Sequence, residues 1–362
     1  MTEKRSAFRG ALLGLAVGDA MGYTVDSKTL EEIRADYGPN GLLGYDLVNG
    51  YADVTSYSQL AAFAANGLLL GLTRGAMGQK IAPLVRYIAL AVKEWSRSQH
   101  YCEQEKNFCW LSTLPELKRR RCMDTWMLST LSRDTLGTLE EPLGRSSHPS
   151  ALTEVIPVAL LSGILDLSQE ELNRLGAEAV ALTHGDPAAF LSGAVLTHAM
   201  SQILGCPEMT VAQRVTDAID AIQLQFGREY AQTTQIWELL QHALLLANSP
   251  ETSQTDAMEL LRCRTAPEVL AGALYACATC HGDFDAAMIT AVNHSGRSAA
   301  VGAITGALLG LAQGEDALPE FYMECLEPTA ILRELADDLL LGCPNSRIFD
   351  DDWDRKYLHG GI

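Results

Sequence analysis

The heptapeptide Gly10-Ala11-Leu12-Leu13-Gly14-Leu15-Ala16 recurs letter for letter at the far end of the chain as Gly306-Ala307-Leu308-Leu309-Gly310-Leu311-Ala312. Around each copy glycine returns every four residues: Gly10, Gly14, Gly18 and Gly22 in the first, then Gly302, Gly306 and Gly310 in the second. On a helix that spacing lays the glycines along one face. Each one costs about 1 kcal/mol of helix propensity relative to alanine, so something must compensate, and close approach of two backbones would do so. The repeat predicts two central helices packed tightly against one another. Chance in a chain rich in Ala, Leu and Gly is the plainer reading.

The rest of the sequence reads as helix too. Apolar residues recur at three- and four-residue spacing in 59–71, 81–95, 152–166, 188–204, 211–225, 235–247, 267–280 and 299–313. Strand-like alternation is scarce. Gly, Pro, Asn and Ser cluster at 38–50, 142–150, 248–254 and 343–346, where loops are expected. None is long or biased enough for a flexible linker between domains. With 48% hydrophobic and 20% charged residues the chain can bury a large core. One compact all-α domain over residues 1–362 is the expectation.

Charge excludes some functions. Lys plus Arg is 27 and Asp plus Glu is 45, and 27 − 45 gives a net charge of −18. Such a surface repels phosphate backbones, so no nucleic-acid partner is expected. The single basic cluster, Lys118-Arg119-Arg120-Arg121, reads as the charged end of a helix. No apolar run reaches the roughly 20 residues of a bilayer span, so no membrane is expected either. Lys4-Arg5 before the apolar Ala11–Val17 imitates a signal peptide, but the run is short and Asp19 follows it. A mature helix and a cytoplasmic location are expected. The nine cysteines read as small core residues. Cys277-Ala278-Thr279-Cys280-His281 matches a haem-attachment pattern, yet it lies in an apolar helical segment, so neither haem nor metal is expected there.

Three segments, taken in order, resemble the ADP-ribosylglycohydrolase family. Phe8-Arg9-Gly10 through Gly18-Asp19-Ala20-Met21-Gly22 resembles its R-G-x-L-x-G-x-x-x-G-D-A-x-G. Leu182-Thr183-His184-Gly185-Asp186-Pro187 resembles its T-H-x-x-P turn. Asn293-His294-Ser295-Gly296 with Gly302-Ala303-Ile304-Thr305-Gly306 resembles the stretch that carries its last metal ligands. The matches span about residues 8–341. The resemblance implies an all-α bundle and two divalent cations, Mg or Mn, held by acids from both ends of the chain. Hard cations need several oxygen ligands, and carboxylates also offset their charge. The ions would position the ribose and the attacking water.

Against that pattern several acids are missing. The family's T-D-D-T falls on Thr55-Ser56-Tyr57-Ser58, and a shifted register offers just Asp53. Its G-D-S/T-D-S/T falls on Gly296-Arg297-Ser298-Ala299-Ala300, where a cation replaces an acid. The glycine-rich loop ending G-G-V-M-R falls on Ser150-Ala151-Leu152-Thr153-Glu154, without its glycines or Arg. Asp26 stands where the family often has Glu. One carboxylate and a few hydroxyls do not offset two ions whose charges sum to +4, and Arg297 adds repulsion. The expectation is therefore that the metals, and with them any cofactor, are lost.

These losses imply a pseudoenzyme that binds a protein partner, basic or ADP-ribosylated, or an ADP-ribose-like small ligand. Its ancestral pocket would comprise Thr55, Ser56, Tyr57, Ser58, His184, Asp186, Asn293, Ser295, Arg297 and Ser298, with Asp26 the one plausible general base. A hydrolase of ADP-ribosyl or related N- or O-glycosidic bonds with metal-independent chemistry is the alternative, and a purely structural subunit a third. Asp19 would hydrogen-bond backbone at the end of the first helix or line the pocket. His184 would contact a ligand or start a helix with Thr183, Asp186 and Pro187, and His294 is read as structural. Arg297 would either pair with Asp26 from the other end of the chain or point into solvent.

Overall fold

A computed structural model of the chain describes residues 2–100, 107–122, 124–343 and 350–359. Its α-helices are Thr2–Tyr23 (α1), Leu30–Tyr37 (α2), Ser56–Ala76 (α3), Leu84–Gln99 (α4), Thr125–Leu131 (α5) and Val155–Leu160 (α6). Gln169–Ala181 (α7), Pro187–Gly205 (α8), Val211–Phe226 (α9), Gln232–Ala247 (α10), Gln254–Leu261 (α11) and Ala266–Thr279 (α12) come next. Phe284–Val292 (α13), Ser298–Gln313 (α14), Glu320–Cys325 (α15), Thr329–Leu341 (α16) and Asp351–Tyr357 (α17) complete the series. The described residues contain no strand, just isolated bridges pairing Val48 with Tyr51 and Ala52 with Leu326. The fold is all-α.

Seven of the eight periodic stretches coincide with single helices. The stretch at 152–166 breaks into a 3-10 turn at Pro149–Glu154, the short α6 and a second 3-10 turn at Leu161–Gly163. Pro149 opens the first 3-10 turn and Pro157, inside the stretch, lacks a backbone donor, which explains the break. The predicted loops at 38–50, 142–150 and 248–254 are largely irregular; residues 344–346 of the fourth lie outside the described residues. Missed helices such as α2 and α7 are short and carry their signal at the cap. Thr29 with Glu32, and Ser168 with Glu171, form capping boxes.

The glycine faces meet. Gly10 lies against Gly310, Gly14 against Gly306 and Gly18 against Gly302, so α1 and α14 run antiparallel with their backbones touching. Gly22 continues the seam to Ser298 and Ala299 at the start of α14. The two ends of the chain are thereby fastened together at the centre of the core. The apolar run Ala11–Val17 is buried in this contact.

Helix α8 is, by length and composition, apolar enough to cross a membrane, but 83% of its apolar window is buried inside the protein. It is a core helix. The eight described cysteines are all free, and Cys277 and Cys280 are buried at the end of α12. The basic cluster departs from expectation. Residues 118–121 form no helix end but an irregular segment after a 3-10 turn at Pro115–Leu117. Arg119 pairs with Asp53 and with Glu327 at 2.7 Å, and Arg121 pairs with Asp53 at 2.9 Å. Acidic neighbours thus pair two of the four cations, while Lys118 and Arg120 are exposed.

Candidate functional site

The glycine seam ends at a cleft. There the last turn of α1, the first turns of α3 and α14 and the 3-10 turn at Pro149 converge around a cavity of about 240 Å³. Tyr23, Asp26 and Ser27 come from the end of α1 and the turn after it. Thr55, Ser56 and Tyr57 come from the start of α3, and Arg297 and Ala299 from the start of α14. Arg121, Asp124, His148 and Ser150 complete the wall.

Asp19 is fully buried and anchors α3 instead of lining the cleft. Its Oδ2 accepts from the Thr55 and Ser58 amides at 2.8 and 3.0 Å and from Ser58 Oγ at 2.6 Å; its Oδ1 accepts from Thr55 Oγ1 at 2.6 Å. A carboxylate at a helix N-terminus is favoured by the orphan N–H groups and the dipole. Burial nevertheless pushes the Asp19 carboxyl up from 3.8 to about 6, against those four donors. The backbone that Asp19 bonds thus belongs to α3, not to the end of its own helix.

Asp26 performs the same service for α14. Its Oδ1 accepts from the Ala299 amide at 3.2 Å. Burial raises its carboxyl above the ordinary range, opposed by that amide and by Arg297. The Arg297 guanidinium stands 3.8 Å from Asp26 Oδ2 and donates to Ser27 Oγ at 3.2 Å. The two ends of the chain do meet in this pair. At 3.8 Å, however, with a third of the Arg297 side chain exposed, it is a loose ion pair. Arg297→Ala is therefore expected to lower stability by less than about 1 kcal/mol. A larger loss in denaturant titration would show the pair to be a genuine fastening.

The wall opposite holds a tighter cluster. Asp124 caps α5, its Oδ1 accepting from the Met127 amide at 3.1 Å. Its Oδ2 accepts from Ser150 Oγ at 2.5 Å and lies 3.0 Å from His184 Nε2 and 3.4 Å from His148 Nδ1. Burial works against ionising Asp124, but its interactions with His184, His148 and the Ser150 hydroxyl outweigh it, and the carboxyl is held well below the usual range. Burial pushes His148 down to about 4 in spite of Asp124, so its imidazole is neutral at pH 7. Asp124 thus supplies a fixed negative charge beside neutral nitrogen.

Of the residues singled out from sequence, the cleft gathers Asp26, Thr55, Ser56, Tyr57 and Arg297. The others lie elsewhere. Ser58 is buried against Asp19, and Ser298 donates to the His294 carbonyl at 3.4 Å. Ser295 Oγ accepts from the Leu30 amide at 2.9 Å. Asn293 pins Leu42 through both its amide atoms and borders a separate cavity of about 380 Å³. Asp186 caps α8 by accepting from the Ala188 amide at 2.8 Å. His184 is fully buried just behind the wall. His294, also fully buried, faces the Ala291 carbonyl at 2.9 Å and accepts from the Gly296 amide, a structural role.

Tyr23, Ser27, Arg121, Asp124 and His148 were not among the candidates read from sequence, and Ser150 entered just as the first residue of the altered glycine loop. Asp124, His148 and His184 lie 24 and 36 residues apart, so no local motif links them. The one available signal was the pairing of His148 and Ser150 around Pro149, which marks a helix start.

A family model described as ADP-ribosylglycohydrolase matches residues 1–347. The chain belongs to the ADP-ribosylglycohydrolase family. A solved structure described as "ADP-ribosylglycohydrolase-related protein complex" is similar to it with a TM-score of 0.56 and 22% identity, covering 94% of this chain and 99% of that one. That likeness is one of fold. Among curated proteins none matches.

Membership in this family makes the donor set matter, and it corrects one expectation. The sequence predicts loss of the metals and of any cofactor, and that prediction does not hold. Asp124, His148 and His184 bring three ligand atoms within 4.8 Å of one another, a group that could hold a metal ion. Counting carboxylates at the family's own motif positions misses these donors, which are largely nitrogen and come from other segments. At positions 55–58 and 296–300 the chain offers hydroxyls, a phenol and a guanidinium. That set does not fit a pair of hard cations. The Asp/His/His group fits a single ion that accepts imidazole.

Proposed function

We propose that the cleft binds an ADP-ribosyl group, and that the protein acts by holding this group as a pseudoenzyme, not by the two-ion hydrolysis its family resemblance implies. The observation that supports the reading is that two guanidinium groups reach one cavity, Arg121 from its pair with Asp53 and Arg297 from its loose pair with Asp26. Arg121, Arg297 and the first turns of α3 and α14 all border one cavity. Guanidinium forks receive phosphate oxygens, whereas the first-turn amides of α3 and α14 are already engaged by Asp19 and Asp26. A pyrophosphate linker suits the two guanidinium groups, and Tyr23 and Tyr57 offer aromatic surface for the adjoining rings. The net charge of −18 would steer a basic, ADP-ribosylated protein toward the surface.

A second reading, hydrolysis in the same cleft, is favoured by Asp124 and His148, which place an ionised carboxylate and a neutral imidazole on its wall. One experiment separates the two. ADP-ribose is titrated calorimetrically with and without added metal, and the protein is incubated with peptides ADP-ribosylated on arginine or serine. Binding without release is the expected result, and Arg297→Ala should weaken it at least about tenfold, or about 1.4 kcal/mol. Release of ADP-ribose would replace the binding reading with the hydrolytic one. No heat under either condition and no release would remove both.

A further inference from the structure

We propose that Asp124, His148 and His184 form a mononuclear site for a zinc-class divalent cation, with one coordination position open to the cleft. This is independent of whether an ADP-ribosyl group binds there, since it rests on the donor geometry itself. Asp124 Oδ2 lies 3.0 Å from His184 Nε2 and 3.4 Å from His148 Nδ1. Ligands about 2.0–2.1 Å from a tetrahedral zinc stand about 3.3 Å from one another. The two measured edges bracket that value, and all three donors lie within 4.8 Å of one another.

Each histidine is positioned by a hydrogen bond of its own. His148 Nδ1 lies 3.4 Å from Asp124 Oδ2 and accepts from the Ser150 amide at 3.3 Å, so it carries no proton, and an incoming ion would take its lone pair from that amide. His184 is oriented from behind. Its Nδ1 is 2.7 Å from Thr183 Oγ1, which sets the ring so that Nε2 faces Asp124. A hydrogen bond on the second ring nitrogen is the usual support of a metal-bound histidine.

The donor chemistry selects the ion. Two imidazoles and one carboxylate suit zinc, iron or cobalt, whereas Mg and Ca prefer a cage of oxygens. Three protein ligands leave a fourth position free, as in sites that engage a water or a ligand oxygen and unlike closed structural sites. That free position faces the cavity, because Asp124 and His148 line it while His184 lies behind.

The test uses the full chain stripped with a chelator and titrated with Zn(II) or Co(II) alone, by calorimetry and visible absorption. One ion per chain is expected, with the absorption bands of four- or five-coordinate cobalt. His148→Ala should weaken binding at least about a hundredfold. Thr183→Val should weaken it about tenfold while retaining one ion per chain. His148 caps the Pro149 turn and its side chain is just 23% exposed, so its removal should lower the metal-free melting temperature while leaving the chain folded. If that variant unfolds, protection of wild-type His148 from diethyl pyrocarbonate by zinc serves instead. No binding, two ions per chain, undiminished affinity in His148→Ala, or no protection would each overturn the site.

Discussion

Gly14→Ala and Gly306→Ala should each destabilise the protein by more than about 3 kcal/mol, read as a shift of the urea midpoint, although alanine is the better helix former. A Cβ on Gly14 would meet the Gly306 carbonyl, with its carbon at 2.8 Å; one on Gly306 would meet the Gly14 carbonyl, with its carbon at 2.6 Å. The obstacle is backbone on both sides, so no side chain can swing aside. Overpacking in a core generally costs about 1–3 kcal/mol, and here two long helices must separate to relieve it. The propensity gain of alanine, about 1 kcal/mol, works in the opposite direction and is smaller. Gly205→Ala is the control. It lies at the end of α8 with nothing within 4 Å of the added carbon, so it should be neutral or gain up to about 1 kcal/mol. Equal midpoints for Gly14→Ala and wild type would mean that α1 and α14 do not depend on this contact.

The seam also decides where the chemistry sits. Because Gly18 meets Gly302 and Gly22 meets Ser298, the residues just beyond α1 arrive beside those that open α14. Asp26 and Arg297 thereby become neighbours although they stand at opposite ends of the chain. That much was legible in the sequence. A four-residue glycine period has few physical explanations, and its two copies named both partners. The Asp26–Arg297 pairing was one of two alternatives, and the seam is why it came about.

The far wall was not legible, for an equally physical reason. Asp124, His148 and Ser150 lie at the starts of short elements, Asp124 and His148 as caps, where Asp and Ser are expected whether or not they do chemistry. Their meeting with His184 depends on how α5, the Pro149 turn and the α7–α8 connection pack, and no periodicity encodes that. Residues near a recognisable motif fared unevenly. Thr55 and Tyr57 reach the cleft, while Ser58 and Ser298, one residue along their helices, turn into the core. Helical rotation of about 100° per residue is enough to separate neighbours in this way.

Asp19 carries the second large effect, and it can be read as a function of pH. In Asp19→Ala the Thr55 and Ser58 amides lose their acceptor inside the core. A buried donor left unpaired costs about 1–3 kcal/mol, so a loss of about 3–5 kcal/mol is expected, with the first turn of α3 losing protection from hydrogen exchange. Asp19→Asn keeps an acceptor in place of Oδ2 and should retain the fold. Its informative property is the slope. The folded Asp19 carboxyl is raised to about 6 from 3.8, so between those values the native state holds a proton that the unfolded chain has released. Stability from this group is complete below about pH 4 and is lost as pH rises through about 6. His148 and His294, both pushed down to about 4 by burial, act oppositely across the overlapping range. They stabilise above about pH 6.5 and cease to do so as pH falls toward 4. The wild-type curve sums these opposing slopes, so the difference between Asp19→Asn and wild type isolates Asp19. The variant should gain relative to wild type from pH 4 to pH 6 and then run parallel to it. A flat difference would mean that Asp19 titrates alike in the folded and unfolded chain, and that its four donors fully offset the cost of burying it.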